Sequence, residues 1–425
     1  MIAIFRHRGP RDARHGERRR PARHHPHEPP PPAARHLQGG HDTSGATMKP
    51  NSSSLFDGVL ARGEVAAAVG DEAWLTAMLQ VESALAQVQA FSGLIPQADA
   101  DAIAACARPE HFDAADLGAR AEASGNPVVP LVETLRTLAG PAGPSVHLGA
   151  TSQDVLDTAG MLVAAQALRP LLADLAACAD QAARLAREHR DTRMIGRTLL
   201  RQAVPTTFGL KAAGWLGGLD AARRRLDQVR RERLAVQLGG AAGTLAPFGD
   251  DGPDLVEGLA TILGLGEPVL PWHTERTRIA DLAGALGAAA GIVAKVARDL
   301  TLMAQDEVDE AAGGSAAADR RDPVAAVCAL GSAGSAPGLV ASLLAAMAHE
   351  HERAAGAWHA EWRPLRELFV CTGSAASWLR TALERLLVHP DVMRGNLARR
   401  GRPAESPDAA GVLVDRALQA HAKGL

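Results

Sequence analysis

Long stretches with apolar residues at helical spacing alternate along this chain with short polar runs rich in Gly, Pro, Thr and Ser. From Glu72 through Phe91 the apolar positions recur every three or four residues, which predicts an amphipathic helix. Gly93 and Pro96 end it. A shorter helical pair follows to Ala123, and Ser124-Gly125-Asn126-Pro127 forces a turn. The same period predicts long helices over Thr158 to Arg190, broken at Pro170, over Phe208 to Leu238, and over Ile279 to Ala311. A short one follows over Ala410 to Ala422. Residues 1–48 have no such period. Arg18-Arg19-Arg20, His24-His25 and Pro29 to Pro32 mark them as a disordered basic arm that cannot build a core.

Composition sharpens this picture. Ala and Leu dominate, aromatics are 3% and Tyr is absent, which favours an all-α fold. A chain of 425 residues can bury a large core and hold two or three domains. A net charge of −3 gives no argument for a nucleic-acid or membrane partner. No apolar run is long and uninterrupted enough to read as a membrane span. The four cysteines are far apart and form no CxxC pair, which speaks against a metal or disulfide framework and fits a reducing cytoplasm.

The polar runs carry the candidate chemistry. His147 to Thr158 is the densest, at a loop-to-helix junction where free backbone N–H groups can meet an anion. Thr151 and Ser152 add hydroxyls, Gln153 an amide and His147 an imidazole, a set that suits a small carboxylate. The alternative is a hydroxyl/Asp cap that only satisfies the next helix. Gly196 to Pro205 offers Thr198 and Gln202 as donors, with Arg197 and Arg201 open to reading as solvated charges. Gln237 to Thr244 is Gly-rich but has no GK[ST] ending and no preceding strand, so a tight turn with close backbone approach is expected there. The arginines from Arg223 to Arg233 are interleaved with acids, the pattern of a solvated helix face.

These runs resemble one family. Gly149-Ala150-Thr151-Ser152-Gln153-Asp154, with Asp157-Thr158, is similar to the threonine-serine loop of the fumarase/aspartase superfamily. The Gln153 form looks most like its 3-carboxy-cis,cis-muconate cycloisomerase branch. Gln237-Leu238-Gly239-Gly240-Ala241-Ala242-Gly243-Thr244, Pro271-Trp272-His273-Thr274 and the block Glu350 to Trp362 resemble segments of that branch too. Two departures stand out. Leu199 occupies the place where lyases of the superfamily carry an active-site His, and cycloisomerases usually a Trp. Gly313 to Pro323 matches the superfamily's mobile signature loop only in Gly314, Ser315 and Pro323. Arg320 stands there for Lys and Asp322 for Asn.

The resemblance spans about Leu55 to Leu397. It implies a fumarase/aspartase-like fold with an N-terminal helical domain (49–157), a central long-helix bundle (158–348) and a short, apparently truncated C-terminal domain (349–425). It also implies a homotetramer whose sites combine loops from three chains. The implied activity is cycloisomerisation of a small polycarboxylate, 3-carboxy-cis,cis-muconate, with no cofactor or metal. Thr151, Ser152, Thr198 and Gln202 are then donors. His147, His273, Arg276 and Arg320 meet carboxylates, Asn126, Gln153 and Gln237 border the ligand, and Ser315 carries the proton. Asp322 is expected either to repel a substrate carboxylate or to pair with Arg320 or Arg321. The rivals are an adenylosuccinate lyase-like C–N lyase, disfavoured by Leu199, and a scaffold that has lost turnover.

Overall fold

Ala and Leu at helical spacing produce helices of unusual length. Ser152–Glu188, Phe208–Glu232, Thr277–Met303 and Ala357–Glu384 are the longest in the computed structural model, which describes residues 55–313, 322–399 and 409–424. They pack side by side, joined by Val324–Ala333 and Ala336–Ala345, around a continuous core of Leu, Ala and Val with Trp215, Phe208 and Phe369 wholly inside. The Asp71–Phe91 helix lies against the start of the Ser152 helix. A smaller core joins its Leu85 and Val88 to Phe248 and to the Gly252–Leu263 helix. Residues 53–425 form one compact unit.

The helical expectation holds, with differences at particular places. The helix expected from Thr158 begins at Ser152 and runs unbroken through Pro170. Burial on both sides of the proline outweighs the one backbone hydrogen bond it cannot donate. Helices expected to reach Leu238 and Ala311 end at Glu232 and Met303. Gly196 to Pro205 is a β-hairpin, Arg193–Thr198 paired antiparallel with Arg201–Thr207. Gly196 sits at its bulge, where a Cβ would lie 2.8 Å from the Val204 carbonyl oxygen. A second small pair joins Ala311–Gly313 to Leu386–Val388.

Contrary to the sequence expectation, Ser152–Glu188, Thr277–Met303 and Val324–Ala345 are long and apolar enough to cross a membrane by length and composition alone. Alanine is the commonest of their apolar residues, and here they form a bundle. Half of the apolar stretch in the first two, and 28% in the third, is buried within this chain. The arginine-rich face of the Phe208 helix pairs with Asp220, Asp227 and Asp281, as a solvated helix face should.

Candidate functional site

The Ser152 helix starts where it does because Thr151 and Asp154 cap it reciprocally. Asp154 Oδ2 accepts the Thr151 N–H at 3.0 Å and the Gly240 N–H at 3.0 Å, and Oδ1 lies 2.6 Å from His273 Nε2. One buried carboxylate therefore fixes the Thr-Ser loop, the Gly-rich turn and the Pro271–Arg276 run together. The turn can approach because Gly239 has no side chain; a Cβ there would lie 2.6 Å from His273 Cε1.

Behind this layer is a closed ionic clamp. Arg276 holds Asp157 with both terminal nitrogens (2.7 and 3.1 Å) and Glu361 through Nε and Nη2. It lies over the Trp272 ring, 4.9 Å from the centroid. Asp157 also accepts from Trp358 Nε1 and Gln153 Nε2. All of these side chains are buried. Burial alone would disfavour the Arg276 cation, but the two carboxylates outweigh it and raise its pKa. Burial pushes Glu361 upward, with Arg276 opposing.

Two basic side chains flank the Thr-Ser loop and keep donors outside this clamp. His147 stands in the left-handed region at φ 60°, with Nδ1 2.6 Å from Oε1 of the buried Glu82. Gln89, two turns further along the same helix, donates to the Leu148 carbonyl at 2.7 Å. Burial works against a charged His147, yet Glu82 prevails and holds its pKa above the ordinary imidazole range. Arg353 donates to Gln153 Oε1 at 3.0 Å and to the Gly240 carbonyl at 2.5 Å. Both acceptors are neutral, so the cation is held in place but not neutralised.

The expected residues thus divide. His147, Thr151, Ser152, Gln153, Gln237 and His273 are brought to one region. Gln237 lies fully inside, clamping the Trp272 N–H through Oε1. Arg276 is there too, but all its donors go to Asp157, Glu361 and the Trp272 carbonyl, so it positions the site instead of meeting a substrate carboxylate. His273 likewise is 4% exposed and bound to Asp154. Asn126 caps the Val128–Ala139 helix by accepting from Val128 and Val129, the connector role. Thr198 and Gln202 are exposed on the hairpin. Arg197 ties that hairpin to the buried Glu310 at 2.7 and 2.9 Å, just before residues 311–313. Asp322 is exposed; Ser315 and Arg320 lie outside the described residues.

Sequence reading reached Asp154 only as a possible cap of the next helix, which it is, and gave no role to Glu82, Asp157, Arg353 and Glu361. Signals were present. Glu82 interrupts an apolar stripe at Leu79, Leu85 and Ala86, and Asp154 and Asp157 are one turn apart among Val155 and Leu156. Acids in such places need buried partners. Among the described residues no group of His, Cys, Asp and Glu has the geometry to hold a metal ion.

A bundle of long helices with buried polar side chains gathered at one helix N-terminus defines an all-α protein. The chain belongs to the Lyase family, whose model matches residues 50–318. It is 44% identical to a 3-carboxy-cis,cis-muconate cycloisomerase of Bradyrhizobium diazoefficiens over 82% of this chain and 80% of that one. It is 43% identical to a nitrosuccinate lyase of Streptomyces davaonensis, over 88% and 83%. Among solved structures, it is similar to the 3-carboxy-cis,cis-muconate lactonizing enzyme of Pseudomonas putida, with a TM-score of 0.78 and 36% identity over 87% of this chain and 88% of that chain.

Proposed function

We propose that the chain interconverts 3-carboxy-cis,cis-muconate and carboxymuconolactone, a step of protocatechuate catabolism. In the closing direction one substrate carboxylate adds to a conjugated double bond. Negative charge moves onto another carboxylate, and the adjacent carbon takes up a proton. Catalysis needs fixed donors where that charge appears and one proton carrier. The observation that carries this reading is the pairing of His147 and Arg353 at the Thr151–Ser152 helix start. Both are held by internal bonds, yet His147 Nε2 and several Arg353 N–H groups have no internal acceptor among the described residues. In this reading substrate carboxylates are held between them. Thr151 and Ser152 supply the helix-end donors, Thr198 and Gln202 complete the site, and Ser315 delivers the proton. Loss of the substrate's conjugated absorbance on adding purified protein tests this; a flat trace at high enzyme concentration sinks it.

The match to a nitrosuccinate lyase favours a second reading, elimination from a nitrodicarboxylate. It uses the same charged intermediate in the opposite sense. Nitrite release from nitrosuccinate, with no turnover of the carboxymuconate, would select it.

In this proposal the site is shared within a homotetramer. Leu199 and Leu200, at the hairpin tip, are 95% and 83% exposed, and much of the long helices' apolar surface is uncovered. Other copies would cover both and bring Thr198 and Gln202 to the Thr-Ser loop. Ser315→Ala and Thr151→Ala chains, each inactive, should regain activity when dissociated and reassembled together. Mixed tetramers without recovery exclude shared sites.

A further inference from the structure

On the far side of the ionic clamp lies a cleft of about 290 Å³ that the proposed reaction does not use. The Asp71, Ala114 and Ala357 helices wall it, with Trp74, Met78, Leu117 and Leu156 supplying apolar surface. Trp362 lines it as well, and its indole N–H is buried with no hydrogen-bond partner among the described residues. Arg366 pairs with Asp71 at 2.8 Å, while Arg363 has no such partner among the described residues. Two arginines against one aspartate leave one positive charge.

We infer that this cleft binds a small aromatic monocarboxylate. The indoles favour a flat ring. Arg363 supplies a charge-assisted hydrogen bond to one carboxylate, and the Trp362 ring an aromatic wall. Asp71, which also lines the cleft, disfavours a second negative charge, so the cleft does not duplicate a polycarboxylate substrate site. The position also couples it to the reaction centre. A smaller void continues past Trp362 and Leu156 to Asp157, Arg276 and Glu361. A ring wedged against Trp362 bears on its neighbour Glu361, and through Arg276 on the helix that carries Thr151. This coupling rests on the site proposed above; the binding itself does not.

Benzoate is the probe, with benzamide as its neutral control, and calorimetry on the full chain is the readout. Benzoate should bind saturably and benzamide about tenfold more weakly, the worth of one charge-assisted bond. Gly118→Leu should abolish binding with basal turnover unchanged. Gly118 lines the cleft within a helix, a Cβ there meets nothing within 4 Å, and leucine favours the helix. Arg363→Gln should weaken benzoate to the benzamide level. Trp362→Phe should weaken both ligands. Thr151→Ala should leave binding intact, which separates this cleft from the catalytic loop. No saturable binding, or binding that survives Gly118→Leu, overturns the inference. Equal binding of benzoate and benzamide overturns the anionic part. If benzoate binds as expected while no carboxymuconate is turned over, the reaction assignment fails and the cleft stands.

Discussion

The Thr-Ser loop and the 198–202 hairpin tip are both polar runs on connecting segments, yet the chain treats them in opposite ways. Behind the loop every buried charge has an internal partner: Asp154 with His273, and Asp157 and Glu361 with Arg276. Just below its tip the hairpin is tied by Arg197 to the buried Glu310. Its tip puts two leucines at φ 51° and 62° into open space. A surface whose groups are tied down within the chain is thus distinguishable from one left open. The difference lies in satisfied charges, not in polarity.

The sharpest way to break this comparison is to empty the clamp. Arg276→Met leaves Asp157 and Glu361 facing each other without their cation. Removing one partner of a buried ionic group costs about 3–5 kcal/mol, so urea unfolding should shift by that amount. A loss under about 1 kcal/mol would mean the clamp is not structural. Arg353→Gln tests the other side of the same layer. Its bonds go to neutral acceptors, so stability should change little. A lost charge-assisted contact to substrate should lower kcat/KM by about 10- to 100-fold. If melting temperature falls while kcat/KM holds, Arg353 is a structural tie only.

Much of this was legible in the sequence. Helical spacing located the long helices, and the turn residues separated them. Gly239 was readable as a close approach because no phosphate motif surrounded it. The site was half legible. Thr151, Ser152 and His147 stand in one polar run, so their convergence is local. The fate of Arg276 was not readable, since its partners lie 119 and 85 residues away and nothing near it marks them. Nor was the hairpin. Leu199-Leu200 lacks the Asn-Gly signal of a two-residue turn, and its conformation follows from pairing between strands on either side. Propensity sees neighbours in sequence, whereas buried charge is resolved by neighbours in space.

Glu82 allows a quieter test. A protonated His147 attracts substrate carboxylate. Because Glu82 raises its folded pKa, the benefit is complete at low pH and is lost as pH rises through that raised value. The alkaline limb of kcat/KM should report it. Glu82→Gln removes the charge while keeping an acceptor for Nδ1, so the limb should move to lower pH. The His147 ring titration followed by NMR should move with it. An unmoved limb with a moved titration would take His147 out of the reaction; if neither moves, Glu82 does not set its charge.

The smallest effect comes from the tip itself. Each leucine held at positive φ costs on the order of 1 kcal/mol that Asn or Gly would avoid. Leu199→Asn with Leu200→Gly installs the residues this turn prefers. If the tip served one chain alone, the change would be purely favourable, and stability would rise slightly with assembly untouched. If the leucines are kept because another copy covers them, the isolated chain should gain about 2 kcal/mol while the oligomer loses apolar contact and dissociates at higher protein concentration. Sedimentation across a dilution series, with unfolding measured at the lowest concentration, separates the two outcomes. Strain retained in a place where relieving it would be easy calls for a reason, and the dilution series shows whether another copy of this chain supplies it.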